Sequence, residues 1–414
     1  MPENLPALVQ GTPSVTKIIC PAREARLIAE SDQLKALRQI VPVKFLIQPP
    51  TEEDAHEHSY ERFSAYYKTA LRDDDVIAGE TAFVFLTPDG IYGNGSFKRV
   101  REICDAGYKA VLIPGPRVVK ETFLMEYYPT LKPSGGVPMF ANRDLVHLFL
   151  RHTHRITKSY FVNDDQPYFS TQPAQLYWRV GDEGLIYRAF VYHPLVVRPD
   201  YRVLDVPGTI DWLLVQLSIS TLNNIYICRD SDEIFGVDLA PYSYDQGQIA
   251  YRRHSQRRMR RRVHRWINSW WVTGYHLWLA THEGRIHVGK QSDAWRCISE
   301  ESARFINEIL TKERFERGGV EGVTYSKLVD PWRLAKRSGV HVPPPHRSVA
   351  QRILDTRLMR GMRRLYRYVV GKKRINVGRQ AEDVHSMSRY ERRIERLLNE
   401  GKTPIEDEGD SALR

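Results

Sequence analysis

Apolar positions recur along this chain with two periods, and the change of period divides it. Residues 15 to 50 carry two short apolar runs, VTKIIC and PVKFLIQPP, separated by a charged stretch with helical spacing from Ala22 to Gln39. This order predicts strand, helix, strand. Residues 51 to 80 are polar and acidic, with a helical pattern through Tyr60 and Tyr67. They lead to a strong strand signal at Ala82 to Leu86, which stops at Thr87-Pro88-Asp89-Gly90. A helix over Ser96 to Asp105 starts after Gly93-Asn94-Gly95, and Gly107 ends it before a buried strand at Lys109 to Ile113. Strand, turn, helix and strand within about thirty residues predict a βαβ unit.

The alternation continues with a helix at Arg143 to Arg151, an aromatic-rich loop at Tyr160 to Trp178, and strands at Gly184 to Tyr192, Leu195 to Arg198 and Asn224 to Cys228. Helical spacing then takes over. Met259, Val263, Trp266, Ile267 and Trp270 recur at three and four residues, as do Leu354, Leu358, Met362, Leu365 and Val369. The segment His341-Val-Pro-Pro-Pro-His346 cannot continue a helix and reads as a linker. The expected organisation is an α/β domain over 1–240, with a mixed sheet flanked by helices. A helical, Arg- and Trp-rich extension over 241–340 packs on it, and 341–414 holds the linker, a basic amphipathic helix and a polar tail.

Composition narrows the classes. With 414 residues, 42% of them apolar, the chain can bury a sizeable core in two or three domains. The start MPENLPALVQ lacks a basic and apolar leader, and the apolar run Trp270 to Ala280 is too short to span a bilayer. A cytoplasmic chain, peripheral on the inner face of a membrane at most, is expected. Four scattered cysteines without CxxC spacing predict reduced thiols and no cysteine zinc site. The net charge of +11 concentrates in Tyr251 to Arg265, with eight arginines in Arg252 to Arg265, and in Arg352 to Arg374. Fields of this kind attract phosphate, anionic lipid or nucleic acid. The sequence holds no nucleophile elbow, P-loop, GxGxxG or HExxH, which weighs against serine hydrolases, P-loop kinases, nicotinamide enzymes and zincins.

Three segments carry candidate chemistry. Asp89 follows a buried strand on a Pro-Gly turn, where an open α/β sheet presents ligands; it suits a ribose or a divalent cation, with an ordinary Pro-Asp-Gly turn, the commoner use of that tripeptide, as the alternative. Asp230, Asp232 and Glu233 gather at another strand end in Cys-Arg-Asp-Ser-Asp-Glu-Ile. Such a group binds a hard cation or supplies a base, unless it is a solvated loop paired with Arg229 or later arginines. His193, between apolar runs before Pro194, and Asp211, after Gly208-Thr209-Ile210, suit acid–base work or hydroxyl binding. A core histidine and a first-turn aspartate are their alternatives. The aromatics at 160–178 either stack on a sugar face or fill a core.

The stretch LTPDGIYGNGSFKRVREICDAGYKAVLIPG and the run Asp-Ser-Asp-Glu-Ile resemble the GT-A class of nucleotide-sugar glycosyltransferases, over roughly residues 83–241. The resemblance implies a GT-A-like, Rossmann-like sheet and transfer of a sugar from a nucleoside diphosphate donor to a glycan or lipid-linked hydroxyl acceptor, in cell-surface glycan assembly. It carries over Asp89 and the acidic run at Asp232; taken with the residue-level candidates, Asp232, Glu233, Asp211 and His193 are expected as catalytic groups, and Asp89, Asn94, Arg229 and Arg257 near the donor. A divalent cation, Mn or Mg, would sit on Asp89, Asp230 and Asp232. Thr87 stands where the class places the first acid of its acidic pair. The alternative is a non-enzymatic nucleic-acid-binding protein that tracks phosphates with its arginine helices.

Overall fold

The computed structural model describes residues 4–48, 59–72, 77, 79–130, 140–200, 211–244, 248–251, 255–267, 274–289 and 291–317. The second basic block, the linker at 341–346, the helix expected through 354–369 and Trp270 lie outside them. Two compact units form, Met1–Thr12 with Asp74–Asp330, and Pro13–Asp73 with Pro331–Arg414.

In the second unit, β1 (Thr16–Pro21) and β2 (Val43–Gln48) pair in parallel from Thr16↔Val43 to Pro21↔Gln48. The strand–helix–strand expected there is present with its helix broken into Ala22–Glu30 and Asp32–Arg38. The break has a local cause: Ser31 is extended, and its hydroxyl accepts the Leu34 N–H at 3.2 Å, so it caps a new helix. Cys20, Ala25, Leu34, Phe45 and Ile47 close the small core between pair and helices.

The first unit carries the other strands. They are β3 (Phe83–Val84), β4 (Gly90–Tyr92), β5 (Ala110–Ile113), β6 (Arg117–Val119), β7 (Phe169–Ser170), β8 (Gln175–Val180), β9 (Gly184–Ala189), β10 (His193–Val197), β11 (Ile225–Ile227), β12 (Gly236–Ala240), β13 (Ile249–Ala250) and β14 (Gly284–His287). Three sheets matter for function, in the orders β11-β5-β10-β3, β4-β12-β6 and β14-β9-β8. The protein is therefore mixed α/β.

The expected βαβ unit exists, but its strands are not neighbours. Between β3 and β5 lies β10, antiparallel to both. All four residues of β5 are buried, so both its edges and both its faces need cover; β10 and the parallel β11 supply the edges. The helix Ser96–Asp105 covers one face through Phe97, Val100 and Ile103. Because β3, β5 and β11 point the same way, Asp89, the 114–116 turn and Asp230 all follow from one edge of the sheet.

The boundary expected at 240/241 does not separate two cores. The strand β14 completes a sheet with β8 and β9. The helix Gln256–Ile267 buries Met259, Val263, Trp266 and Ile267 in the same cluster as Trp178, Ile186 and Phe305. The aromatic segment at 160–178 is not a stacking loop, since Tyr177 and Trp178 are fully buried in β8. Trp178 packs in the cluster that the helices share, while Tyr177, on the other face of the strand, meets Tyr160, Phe161 and Tyr187. All four cysteines are free; Cys20 and Cys228 are buried, and burial pushes both thiols up to about 12. Among the described residues no helix is long and apolar enough to cross a membrane.

Candidate functional site

The acidic turn after β11 is held from three sides. Cys228 N–H donates to Leu112 O at 2.9 Å, which extends the ladder with β5, and the Tyr187 hydroxyl donates to Cys228 O at 2.6 Å from β9. Toward β14, Arg285 N–H donates to Arg229 O at 2.7 Å and Ser231 N–H to Arg285 O at 2.9 Å. The helix Asn142–His152 forms the third side, where Asn142 Nδ2 donates to Asp232 O at 3.0 Å and the Ser96 hydroxyl donates to Asn142 Oδ1 at 3.1 Å. Gly93 is required there, because a Cβ on it would lie 2.0 Å from Asn142 Oδ1. The two acidic segments singled out in the sequence thus meet through Asn142.

Within the turn, Asp230 Oδ1 accepts the Asp232 N–H at 2.8 Å, and His287 Nε2 lies 2.9 Å from the same oxygen. Asp232 Oδ2 stands 4.0 Å from His287 Nε2. One ligand atom from each of Asp230, Asp232 and His287 falls within 4.8 Å of the others, a spacing that suits one metal ion. Arg143 closes the open side, with Nε 3.0 Å from Asp232 Oδ1 and Nη2 2.6 Å from Oδ2.

The electrostatics follow from these contacts. Gly289 N–H donates to His287 Nδ1 at 3.2 Å, so the neutral imidazole carries its proton on Nε2 and gives it to Asp230. That bond raises the His287 imidazole and holds the Asp230 carboxyl below the usual carboxylate range. Two carboxylates offer hard oxygens that fit Mg or Mn without rearranging themselves. His287 becomes a ligand only after giving up the Nε2 proton, with the Gly289 amide turned from Nδ1.

Glu233, the neighbour of Asp232, faces away. Arg99 Nε and Nη2 each reach its Oε2 at 3.0 Å, and the Tyr226 hydroxyl donates to the same oxygen. Asp89 and His193 come together elsewhere on the sheet edge, around a carboxylate that the sequence did not single out. Asp238 on β12 is partly buried, and burial raises its carboxyl, with His193 and Arg117 lowering it and Asp89 raising it further. The 114–116 turn lies against them, as a Cβ on Gly115 would sit 3.6 Å from Asp238 Oδ2 and 3.9 Å from His193 Cβ.

The remaining expected residues are dispersed. Asp211 opens the helix Asp211–Ser218, and its side chain lies outside the described residues. Asn94 uses its N–H on Phe140 O at 2.6 Å, Arg229 is exposed beside the acidic turn, and Arg257 is exposed on the helix Gln256–Ile267. His287, Arg143 and Asp238 escaped sequence reading. His287 lies 57 residues from Asp230 and Arg143 89 from Asp232, so no local spacing announces either contact. No known protein family, characterised protein or solved structure matches the chain.

Proposed function

We propose that the protein transfers a sugar from a nucleoside diphosphate donor to a hydroxyl acceptor, assisted by a divalent cation, Mn or Mg. The observation that carries this reading is the convergence of Asp230, Asp232 and His287 at the sheet edge that also presents Asp89. In this reading Asp230 and Asp232 hold the cation. A bound cation would neutralise charge on the leaving diphosphate. In the second cluster Asp89 follows β3 and His193 opens β10 at the same edge, while Asp238 lies on β12 of the neighbouring sheet. In this reading the donor lies along the edge between the two clusters, with Asp89 on the ribose and His193 or Asp238 on sugar or acceptor hydroxyls. A GT-A-like sheet, donor contacts by Asn94 and Arg229, and a glycan or lipid-linked acceptor belong to the same proposal.

The arginine helix Gln256–Ile267 gives the nucleic-acid alternative less support than its sequence promised. Its apolar face is buried in the core, Arg260 pairs with Glu308 at 2.6 Å, and Gln256 bonds Glu301 at 2.8 Å, so acids border the basic surface.

Thermal stability in the presence of nucleoside diphosphates and nucleotide-sugars, with and without Mn, tests the proposal, because a ligand that binds only the native state raises the melting temperature. A nucleotide-selective rise that depends on Mn and disappears in Asp232→Ala is the expected result. Salt-sensitive binding of an oligonucleotide with no nucleotide response would replace this reading by the nucleic-acid one.

A further inference from the structure

We propose that Arg143 is the resident cation of the acidic turn, that a divalent ion displaces it from Asp232, and that the released guanidinium then grips the anionic part of the donor. The inference rests on Asp230 and Asp232 being cation ligands.

Asp230 and Asp232 contribute two negative charges, and the Arg143 guanidinium offsets one of them without any ion. Both oxygens of Asp232 are engaged by the guanidinium, Oδ1 by Nε at 3.0 Å and Oδ2 by Nη2 at 2.6 Å. A divalent ion on Asp232 would stand within a few ångströms of that guanidinium, and two cations so close repel strongly where solvent screens them only in part. The ion and Arg143 are therefore alternatives on the same carboxylate.

Geometry lets the side chain leave while its backbone stays. Asn142, the preceding residue, is 8% exposed and bonded to both Asp232 O and Ser96, which pins the start of the helix Asn142–His152. The Arg143 side chain is 55% exposed, so it has room to swing. On its other flank a Cβ at Gly289 would come within 3.1 Å of Nη1, and the missing side chain there keeps the guanidinium's space open. Once free, the planar fork matches a phosphate with two parallel hydrogen bonds, beside the positive end of an 11-residue helix. Cation loading then arms an anion contact, which is a coupling between two ligands.

This arrangement makes Arg143 oppose one ligand and favour the other, whereas a scaffolding arginine would favour both. The experiment titrates Mn into the wild-type protein, Arg143→Ala, Arg143→Gln and Asp232→Asn. Free Mn is read by electron paramagnetic resonance, and UDP and GDP are then titrated with and without Mn. Circular dichroism and melting temperature establish that each variant is folded. Mn should bind about tenfold tighter to both Arg143 variants, consistent with losing one partly screened repulsion. Nucleotide affinity in the presence of Mn should fall about tenfold, and the enhancement of nucleotide binding by Mn should shrink. Unchanged or weaker Mn binding in the Arg143 variants overturns the exchange while leaving the cation site standing. Tighter Mn binding with unaltered nucleotide affinity overturns the grip on the donor. Absence of Mn binding in the wild-type protein and in every variant removes the cation reading itself, and this inference with it.

Discussion

Asp232 and Glu233 are adjacent carboxylates with opposite surroundings, and their substitution separates a site from its support. Glu233 is bound by Arg99 and the Tyr226 hydroxyl with its side chain 31% exposed, a partly screened pair to which about 1 kcal/mol is attributable. Glu233→Gln should lower the melting temperature by a few degrees and leave Mn affinity within about twofold of wild type, read by the same titration. Asp230 differs because it carries the bond to His287. The raised His287 imidazole stabilises the fold below its ordinary value of 6.5, and that contribution disappears as pH rises through the raised value. The lowered Asp230 carboxyl stabilises above 3.8, and its contribution is lost as pH falls through the lowered value. The pair therefore contributes most between these limits. Urea denaturation of Asp230→Asn should show a deficit at pH 5.5 that narrows by pH 8.5; an equal deficit at both would show that the pair does not titrate as described.

At the scale of elements, the acidic turn is only as well placed as β9 and β14, which carry it. A Cβ on Gly284 would lie 2.1 Å from Tyr187 Cζ and 2.4 Å from its hydroxyl, the group that donates to Cys228 O. Gly284→Ala must push the buried Tyr187 aside, which combines overpacking with a lost buried hydrogen bond, about 3 kcal/mol together. Chemical denaturation should show that loss, and Mn affinity should fall although no ligand has changed; a stable variant with normal affinity would mean that β9 does not position the turn. This dependence on remote strands also explains what the sequence disclosed. The helix Ser96–Asp105 was legible to the residue, because Gly95 with φ 87° at its N-cap and Gly107 with φ 98° beyond its end bracket a clear apolar stripe. The acidic turn was legible because it follows an apolar run directly. The strand β8 was not, since burial on both faces erases alternation and leaves an aromatic-rich run that reads as a loop. The insertion of β10 between β3 and β5, and of His287 and Arg143 into the site, depends on pairings across many residues, which local pattern does not encode.

At the scale of the whole molecule, buried histidines set the response to acid. Burial lowers His154, His276 and His282, with His276 pushed down to about 3. An unfolded chain charges these groups near 6.5, whereas the native one keeps them neutral, so the unfolded state binds more protons as pH falls below that value. Stability contributed by their neutrality is present above 6.5 and is lost progressively below it. His287 has the opposite sign, whereas His276, fully buried, carries the large downward shift. The net charge of +11 adds self-repulsion that grows on acidification, but salt screens that part and leaves the buried imidazoles unaffected. Calorimetry at pH 7.5, 6.0 and 5.0, each at low and high salt, should therefore show a melting temperature that falls with pH even where salt has removed the charge effect. His276→Gln should flatten the salt-independent slope, because a neutral amide has no proton to gain on unfolding. If the fall vanishes at high salt, repulsion across the surface governs the acid limit and the buried imidazoles do not.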